Sequence, residues 1–531
     1  MSGEKATKKC WQRMGGLNGT LLTLYITLVF SAYFFTATEK VTYWVRWTIL
    51  VLFLSALGSP ALLRWIRKRD ALRVEVPPVQ ESDRVKNEGR WRAAFLLVPL
   101  TVFLVKYGIY YPGGFAFDTV VQVGQVLEGP YIDWHPVIQT LLSVWLPLTV
   151  TGGWFGSLAL FQVLALALTI WYALCRVMAY RGKRYAVLSL LFIICNPVIS
   201  NMAVITWKDT AFAVCALLVT TYAMNIRATG GAWLKRPWNA VFLVLAMALT
   251  SVIRHNGILF TLPLMAAVVL WVGFRRTILL CVGIVVLIAG IRGPLYTALD
   301  VRNPGFRKEE MLGMPMTVIG AVVKYAPENL DEETRKFVDQ VAPQEAWQKY
   351  YEYGNFNYLK ETSNFDPFVV EDGGFAVIGM ALRCLVRSPR EAIIGFLKLT
   401  EGVYSLCGDY AYYDFPRVQK NGYGIQMLGV PALRRANETL TEILYTVCPW
   451  LFMYPGAMHL VLLALILARF RLNRREDWKN ILFVLPVFIY NFGTALLMTG
   501  ANDCHRFFFY TFLIMPLLVA MIRGEVTRLE G

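Results

Sequence analysis

The sequence predicts an all-α polytopic membrane protein with about twelve transmembrane helices, and two observations lead to this prediction. Hydrophobic residues make up 56% of the 531 positions, charged residues make up only 17%, and the mean hydropathy is +0.47. Apolar stretches of about 20 residues, the length needed to cross a bilayer, recur along the chain between short basic loops. This combination excludes a soluble enzyme built around one large core.

Twelve apolar stretches are candidate membrane-spanning helices. In chain order they cover 17–36, 45–65, 93–111, 154–179, 185–205, 210–227, 238–253, 258–273, 277–296, 441–468, 481–500 and 506–522. Asn196 and Pro197 predict a kink in the fifth stretch, because proline interrupts a helix. A thirteenth apolar run, 137–150, is shorter and directly follows His135 and Pro136.

The basic loops predict the orientation of these helices. Cytoplasmic loops are enriched in Lys and Arg, so the loop from Arg64 to Arg92 marks the cytoplasmic side. If 137–150 crossed the membrane, four later basic loops would lie outside, whereas all four lie inside if it does not cross. We therefore expect 137–150 to be re-entrant or interfacial and to roof a pocket, with both termini cytoplasmic. The first helix lacks a small-x-small cleavage site and is predicted to be retained.

The segment 297–440 differs in kind, because it is polar, aromatic and rich in acidic residues. It is long enough to form an extracytoplasmic domain of mixed structure, with amphipathic helices expected at 374–386 and 391–405. The chain then divides into an N-terminal transmembrane module (1–296, including the first outer loop 112–136), this domain, and C-terminal transmembrane helices (441–531).

Charge and cysteine content exclude some functions and leave others open. The net charge of +16 does not indicate nucleic-acid binding, because the basic residues cluster in short loops where they orient the protein and meet anionic lipid. The nine cysteines show no metal-ligand spacing. Cys384, Cys407 and Cys504 are expected to face outward, and a disulfide among them stays open.

Five polar motifs lie at the ends of apolar stretches, and the predicted orientation places all five on the outer face. The motifs are Gly113–Asp118, Trp134–Pro136, Trp207–Asp209, Arg254–Gly257 and Asn502–Arg506. Ionisable groups at a membrane boundary are energetically expensive, and they indicate a functional site. Because all five motifs are expected on the same side, the sequence predicts a site that opens away from the cytoplasm.

Asp118 follows a Pro-Gly-Gly break after the third apolar stretch. One interpretation is that it only caps a short helix running to about Glu128. The other is that it acts as a general base, tuned by its neighbours under an apolar roof. The single His135 has no second ligand nearby, so a zinc site is not expected.

Lys208, Arg254 and Arg506 lie on the outer face, where the orientation rule disfavours positive charge. Such placement suggests an anion to bind, and Arg and Lys are the residues that hold phosphate. The alternative is that these cations only pair with acids of the outer loops, with Lys208 and Asp209 forming a local ion pair.

These motifs together resemble the GT-C superfamily of membrane glycosyltransferases, which includes protein O-mannosyltransferases and the aminoarabinose transferases of lipid A. The resemblance covers roughly 93–297 and 374–522, and it is closest to a bacterial branch with the pattern Gly-x-x-x-Asp, Trp-His-Pro, Lys-Asp, Arg-x-Asn-Gly and a late Arg. It implies a polyprenyl-phosphate sugar donor and an envelope glycopolymer, glycolipid or protein acceptor outside the cytoplasmic membrane.

The resemblance also implies roles for individual residues. Asp118 would deprotonate the acceptor hydroxyl, while Lys208, Arg254 and Arg506 would hold the donor phosphate. His135 would orient Asp118 or the phosphate. The remaining residues expected to bind substrate are Asp209, Asn256 and His505. The first loop departs from the family pattern in lacking Asp-x-Asp, so no metal and no other cofactor is expected.

Two other functions compete with this interpretation. A transporter or flippase of a lipid-linked intermediate would place polar groups near mid-membrane and often shows repeated halves, neither of which the sequence displays. An envelope polymerase or ligase would share the cationic outer site but would need no carboxylate base in the first loop.

Overall fold

A computed structural model describes residues 2–38, 40–71, 81–303, 308–406, 414–452, 454–470 and 475–522. Over these residues the secondary structure is helical, and the only β-type contacts are isolated bridges. The all-α class expected from the sequence is therefore confirmed.

Six helices are long and apolar enough to cross a membrane, or seven if one bent pair counts as a single span. The six are Gly16–Ala37, Val41–Lys68, Glu88–Ile109, Gly156–Arg181, Lys208–Ala228 and Phe274–Ala298. The bent pair is Ala501–Phe508 and Tyr510–Ile522, with 50° between its axes. In the described part of the chain the structure thus has fewer full-length spans than the twelve predicted.

The number of full-length spans is smaller than predicted because several apolar helices are short or interrupted. Pro237–Val252 and Ile258–Val272 have 16 and 15 residues, so they are about 24 and 22 Å long at 1.5 Å per residue, less than the ~30 Å hydrocarbon thickness. The fifth stretch divides into Lys183–Ile194 and Pro197–Met202, as Asn196 and Pro197 predicted.

The prediction of one helix over 441–468 was wrong. Pro431–Val447 ends before Pro449, and a new helix, Pro455–Arg469, begins at a second proline. Arg475–Ala495 follows with Pro486 in its interior. The run 137–150 forms one short helical segment, Val137–Val150, with a π-helical turn at Leu141–Trp145.

The segment 297–440 is helical rather than mixed in its described residues. Its helices are Lys308–Met311, Gly313–Tyr325, Glu332–Val341, Gln344–Tyr350, Asn357–Lys360, Pro367–Arg387, Pro389–Tyr404 and the start of Pro431–Val447. The two amphipathic helices expected at 374–386 and 391–405 are confirmed by the part of Pro367–Arg387 that follows its kink at Gly374 (φ +45°) and by Pro389–Tyr404.

The described residues form three apolar cores, and two of them share one helix. The largest core joins the apolar helices, the second surrounds Trp347 and Tyr351 in the segment 297–440, and the third includes Phe115 and Val123. In Pro389–Tyr404, Ala392 packs into the second core, whereas Leu399 and Val403 pack into the largest one. This helix therefore ties the segment 297–440 to the apolar bundle.

Basic helix ends meet at the end of the bundle opposite the polar motifs. Arg67 donates a hydrogen bond to the carbonyl of Ala468 at 2.6 Å, and Arg469 donates to that of Ile522 at 2.6 Å. Arg181 donates to the carbonyl of Ala520. The C-terminal ends of these four helices, which the sequence predicts to be cytoplasmic, therefore lie at the same level of the bundle.

Candidate functional site

The loop 112–136 is fixed to the bundle by backbone hydrogen bonds. The Gly114 amide donates to the Val204 carbonyl at 2.8 Å, and the Thr206 amide donates to the Gly114 carbonyl at 3.0 Å. Gly113 has φ +110°, and a Cβ there would lie 2.5 Å from Cβ of Ala159. Only glycine fits this close approach without strain.

This anchoring positions Asp118 in the first turn of the helix Phe117–Leu127. The N-cap residue is Ala116, so the interpretation of Asp118 as a helix cap was wrong. The Asp118 side chain is 20% exposed and lies against two cations. Its carboxylate is therefore available for interactions beyond its own helix.

Asp118 bridges residues that are distant in sequence. Its Oδ2 accepts hydrogen bonds from Lys208 Nζ at 3.3 Å and from Arg506 Nη1 at 3.1 Å. Lys208 Nζ also donates to His135 Nδ1 at 3.2 Å. Because an ammonium group only donates, His135 carries its ring proton on Nε2. His135 thus contacts Lys208, whereas the sequence suggested a contact with Asp118 or phosphate.

The local charges set the protonation of Asp118 and His135. Burial by itself raises the pKa of Asp118, but the positive charges of Lys208 and Arg506 outweigh burial and hold that pKa well below its usual range. Burial and the neighbouring Lys208 charge lower the pKa of His135 from 6.5 to about 3. Asp118 is therefore ionised and His135 neutral at physiological pH, and Asp118 is a weaker base than the sequence suggested.

Arg506 is held from three sides. Its Nε and Nη2 donate to the two carboxylate oxygens of Asp503 at 3.0 and 3.2 Å. Its guanidinium lies 5.4 Å from the Trp207 ring centre and 4.9 Å from that of Phe507. Asn357, from the segment 297–440, donates to Asp503 Oδ2 at 3.1 Å. The planar guanidinium is thus oriented with Nη1 toward Asp118.

A second ion pair lies deeper. Arg254 Nη1 donates to Asp209 Oδ1, and the two side chains are 7% and 0% exposed. The Arg254 guanidinium lies 4.6 Å from the ring centre of Phe507, which also contacts Arg506. The local Lys208–Asp209 pair considered from the sequence is not formed, because each residue pairs with a different partner.

Two predicted substrate-binding residues lie beside this arrangement and bond elsewhere. Asn256 Nδ2 donates to Thr494 Oγ1 at 2.8 Å. His505 Nδ1 is 3.0 Å from the Asn502 carbonyl oxygen, and its Nε2 is 3.9 Å from Asp414 Oδ2. Their roles in substrate binding stay predictions.

We call the group Asp118, Lys208, Asp209, Arg254, Asp503 and Arg506 the ion cluster. Sequence reasoning missed Asp503 and Asn357. The spacing of three between Asp503 and Arg506 is a helical pairing distance and was a usable signal. Nothing local could indicate Asn357, which lies 146 positions from Asp503.

The donor set of the ion cluster does not fit a metal ion. Both groups that donate hydrogen bonds to Asp118 Oδ2 are positively charged, so they would repel a divalent cation bound to this oxygen. In the described ranges no group of three or more His, Cys, Asp or Glu side chains could hold a metal. Cys384 and Cys504 are buried free thiols, and Cys407 lies outside the described residues.

Comparisons with protein-family models, curated proteins and solved structures gave no match. The resemblance drawn from the sequence motifs therefore stays a prediction.

Proposed function

We propose that this protein is an integral membrane glycosyltransferase of the GT-C type, which transfers a sugar from a polyprenyl-phosphate donor to a cell-envelope acceptor. The observation that carries the proposal is the placement of Asp118 between Lys208 and Arg506. A carboxylate beside two cations supplies both a proton acceptor and a phosphate-binding pair, the two groups that glycosyl transfer from a phosphate needs.

The proposed reaction uses these groups as follows. Asp118 accepts the proton of the acceptor hydroxyl, and the acceptor oxygen bonds to the anomeric carbon of the sugar. The bond from that carbon to the phosphate oxygen breaks, and its electron pair stays on the phosphate. Lys208 and Arg506 stabilise the charge that develops there. Neutral His135 holds Lys208 in place through Nδ1.

We also propose twelve crossings of the cytoplasmic membrane, with both termini cytoplasmic and the active site on the outer face. The number is reached if the six long helices and the bent pair are joined by the short helices Pro237–Val252, Ile258–Val272 and Pro455–Arg469, the broken stretch 183–202 and Arg475–Ala495, and if Val137–Val150 does not cross. The meeting of basic helix ends at one level supports the orientation. The short helices flanking Arg254 would recess that side of the site below the membrane surface. Membrane lipid surrounds the bundle, and nucleic acid is not an expected partner.

The segment 297–440, which we call the outer segment, is proposed to select the acceptor. It reaches the ion cluster through Asn357, which contacts Asp503. An acceptor bound by this segment would therefore lie beside Asp118. The acceptor is a glycopolymer, a glycolipid or a protein of the envelope.

The test is transfer of radiolabelled sugar from a panel of polyprenyl-phosphate donors to envelope fractions by the purified protein in nanodiscs. The proposal expects a labelled product. Movement of the lipid-linked donor across vesicles without any covalent product would instead support a flippase. A product that forms equally well without Asp118 would support a polymerase or ligase.

A further inference from the structure

The charges of the ion cluster balance in the absence of substrate. Three side chains are positive (Lys208, Arg254, Arg506) and three are negative (Asp118, Asp209, Asp503), and each cation contacts at least one of the carboxylates. His135 adds no charge because its pKa is about 3. A donor phosphate therefore meets no net positive charge unless one carboxylate releases its cations.

Asp118 is the carboxylate that an incoming anion can displace without breaking a bidentate or a fully buried ion pair. It meets Lys208 and Arg506 through a single oxygen, Oδ2, at 3.3 and 3.1 Å. Asp503 holds Arg506 through both of its oxygens, and the Asp209 side chain has no exposed surface. The Asp118, Lys208 and Arg506 side chains are each 17–20% exposed. An incoming anion can thus reach this pair of cations without opening the other ion pairs.

We propose that the donor phosphate and the Asp118 carboxylate compete for Lys208 and Arg506, so that the donor binds first and thereby releases Asp118 to act as the base. This inference rests on the proposed function. In this scheme Lys208 and Arg506 donate hydrogen bonds to Asp118 before the donor binds. They donate to the donor phosphate afterwards.

This exchange of the carboxylate for the phosphate explains how Asp118, which is a weak base while it faces both cations, becomes an effective one. While both cations face Asp118, its pKa stays well below its usual range. A phosphate that takes over those cations compensates their charge, so the pKa of Asp118 rises toward a useful value. An acceptor hydroxyl is then deprotonated only when a donor is present.

The exchange also keeps the charge of the site constant during transfer. The phosphate gains one negative charge when its bond to the sugar breaks, and Asp118 loses one when it takes the acceptor proton. Lys208 and Arg506 therefore face the same total negative charge before and after the step. The product, a polyprenyl phosphate with one more negative charge than the donor, leaves when Asp118 loses its proton and regains the cations.

The experiment measures binding of farnesyl phosphate to the full-length protein in nanodiscs. Removal of the competing carboxylate in Asp118→Asn is expected to tighten binding about tenfold or more. Asp133→Asn is the matched control, because it removes a carboxylate from the same loop, where Asp133 accepts a hydrogen bond from Tyr296 at 3.0 Å. Binding to this control is expected to stay within about twofold of wild type, since neither cation is released. Adding Lys208→Met to Asp118→Asn should remove the gain.

Transfer by the same preparations separates this inference from the proposed function. Loss of transfer together with unchanged or weaker farnesyl phosphate binding by Asp118→Asn overturns the competition and leaves the function standing. Retained transfer by Asp118→Asn contradicts the function itself. If Asp118→Asn does not fold, Asp118→Ser carries the same expectation, because it also removes the negative charge.

Discussion

Substitution of Asp209 by Asn tests whether Arg254 is part of a structural ion pair or a ligand for the donor. Arg254 is 7% exposed and Asp209 is fully buried, so the substitution leaves a buried guanidinium without its carboxylate. Removing one partner of a buried ion pair costs about 3–5 kcal/mol. Phe507 and Phe212, which lie beside the guanidinium, supply no compensating negative charge.

The assay is a double-mutant cycle on the free energy of unfolding, measured by SDS titration in mixed micelles. Asp209→Asn is expected to lose about 3–5 kcal/mol, and Asp209→Asn with Arg254→Met is expected to lose clearly less, because the second change removes the orphaned charge. Additive losses would refute the reasoning. A stable Arg254→Met variant that no longer binds farnesyl phosphate would instead establish Arg254 as the donor ligand that the sequence suggested.

Three further predictions concern the rest of the ion cluster and the loop that carries Asp118. The pKa of His135 is about 3 in the folded protein and near 6.5 when unfolded, so its contribution to stability is present above pH 6.5 and is lost as the pH falls. Between pH 8 and pH 5 the loss is about 2 kcal/mol, and thermal melting of His135→Gln should show a weaker pH dependence than wild type. Gly113→Ala, at φ +110° and against Ala159, should destabilise the protein by about 1–3 kcal/mol in the same melting assay; an unchanged melting temperature would contradict the close approach. Asn357→Ala removes a hydrogen bond to Asp503 and should raise the donor KM about fivefold with a smaller effect on kcat. An equal fall in both kcat and kcat/KM would point away from donor positioning.

The sequence predicted where the polar motifs lie better than how they pair. Sidedness alone led us to expect Asp118, Lys208 and Arg506 on one face, and the structure brings their side chains into contact. The partners could not be assigned from spacing, because ion pairing across the bundle depends on helix packing. One pairing was nevertheless avoidable: adjacent residues on a helix do not face each other, so Lys208 and Asp209 were poor candidates for a mutual pair.

The positions of helix breaks were also only partly predictable from the sequence. Asn196 and Pro197 were recognised as an interruption, and the structure has one between Ile194 and Pro197. Pro449 and Pro455 carry the same signal, yet the apolar composition of 441–468 favoured one continuous span. Hydropathy measures whether a segment suits the membrane, whereas proline decides whether one helix can run through it. Where the two conflict, backbone geometry decides.

The measurement that tests the central claim most directly follows both products of the reaction in wild type and Asp118→Asn. The donor carries one label on its sugar and another on its polyprenyl phosphate, and Asp133→Asn serves as the matched control. The account predicts equal amounts of transferred sugar and released polyprenyl phosphate from wild type and the control, and at least about a hundredfold lower rates from Asp118→Asn. Equal rates from all three proteins, or donor movement without either product, would contradict it.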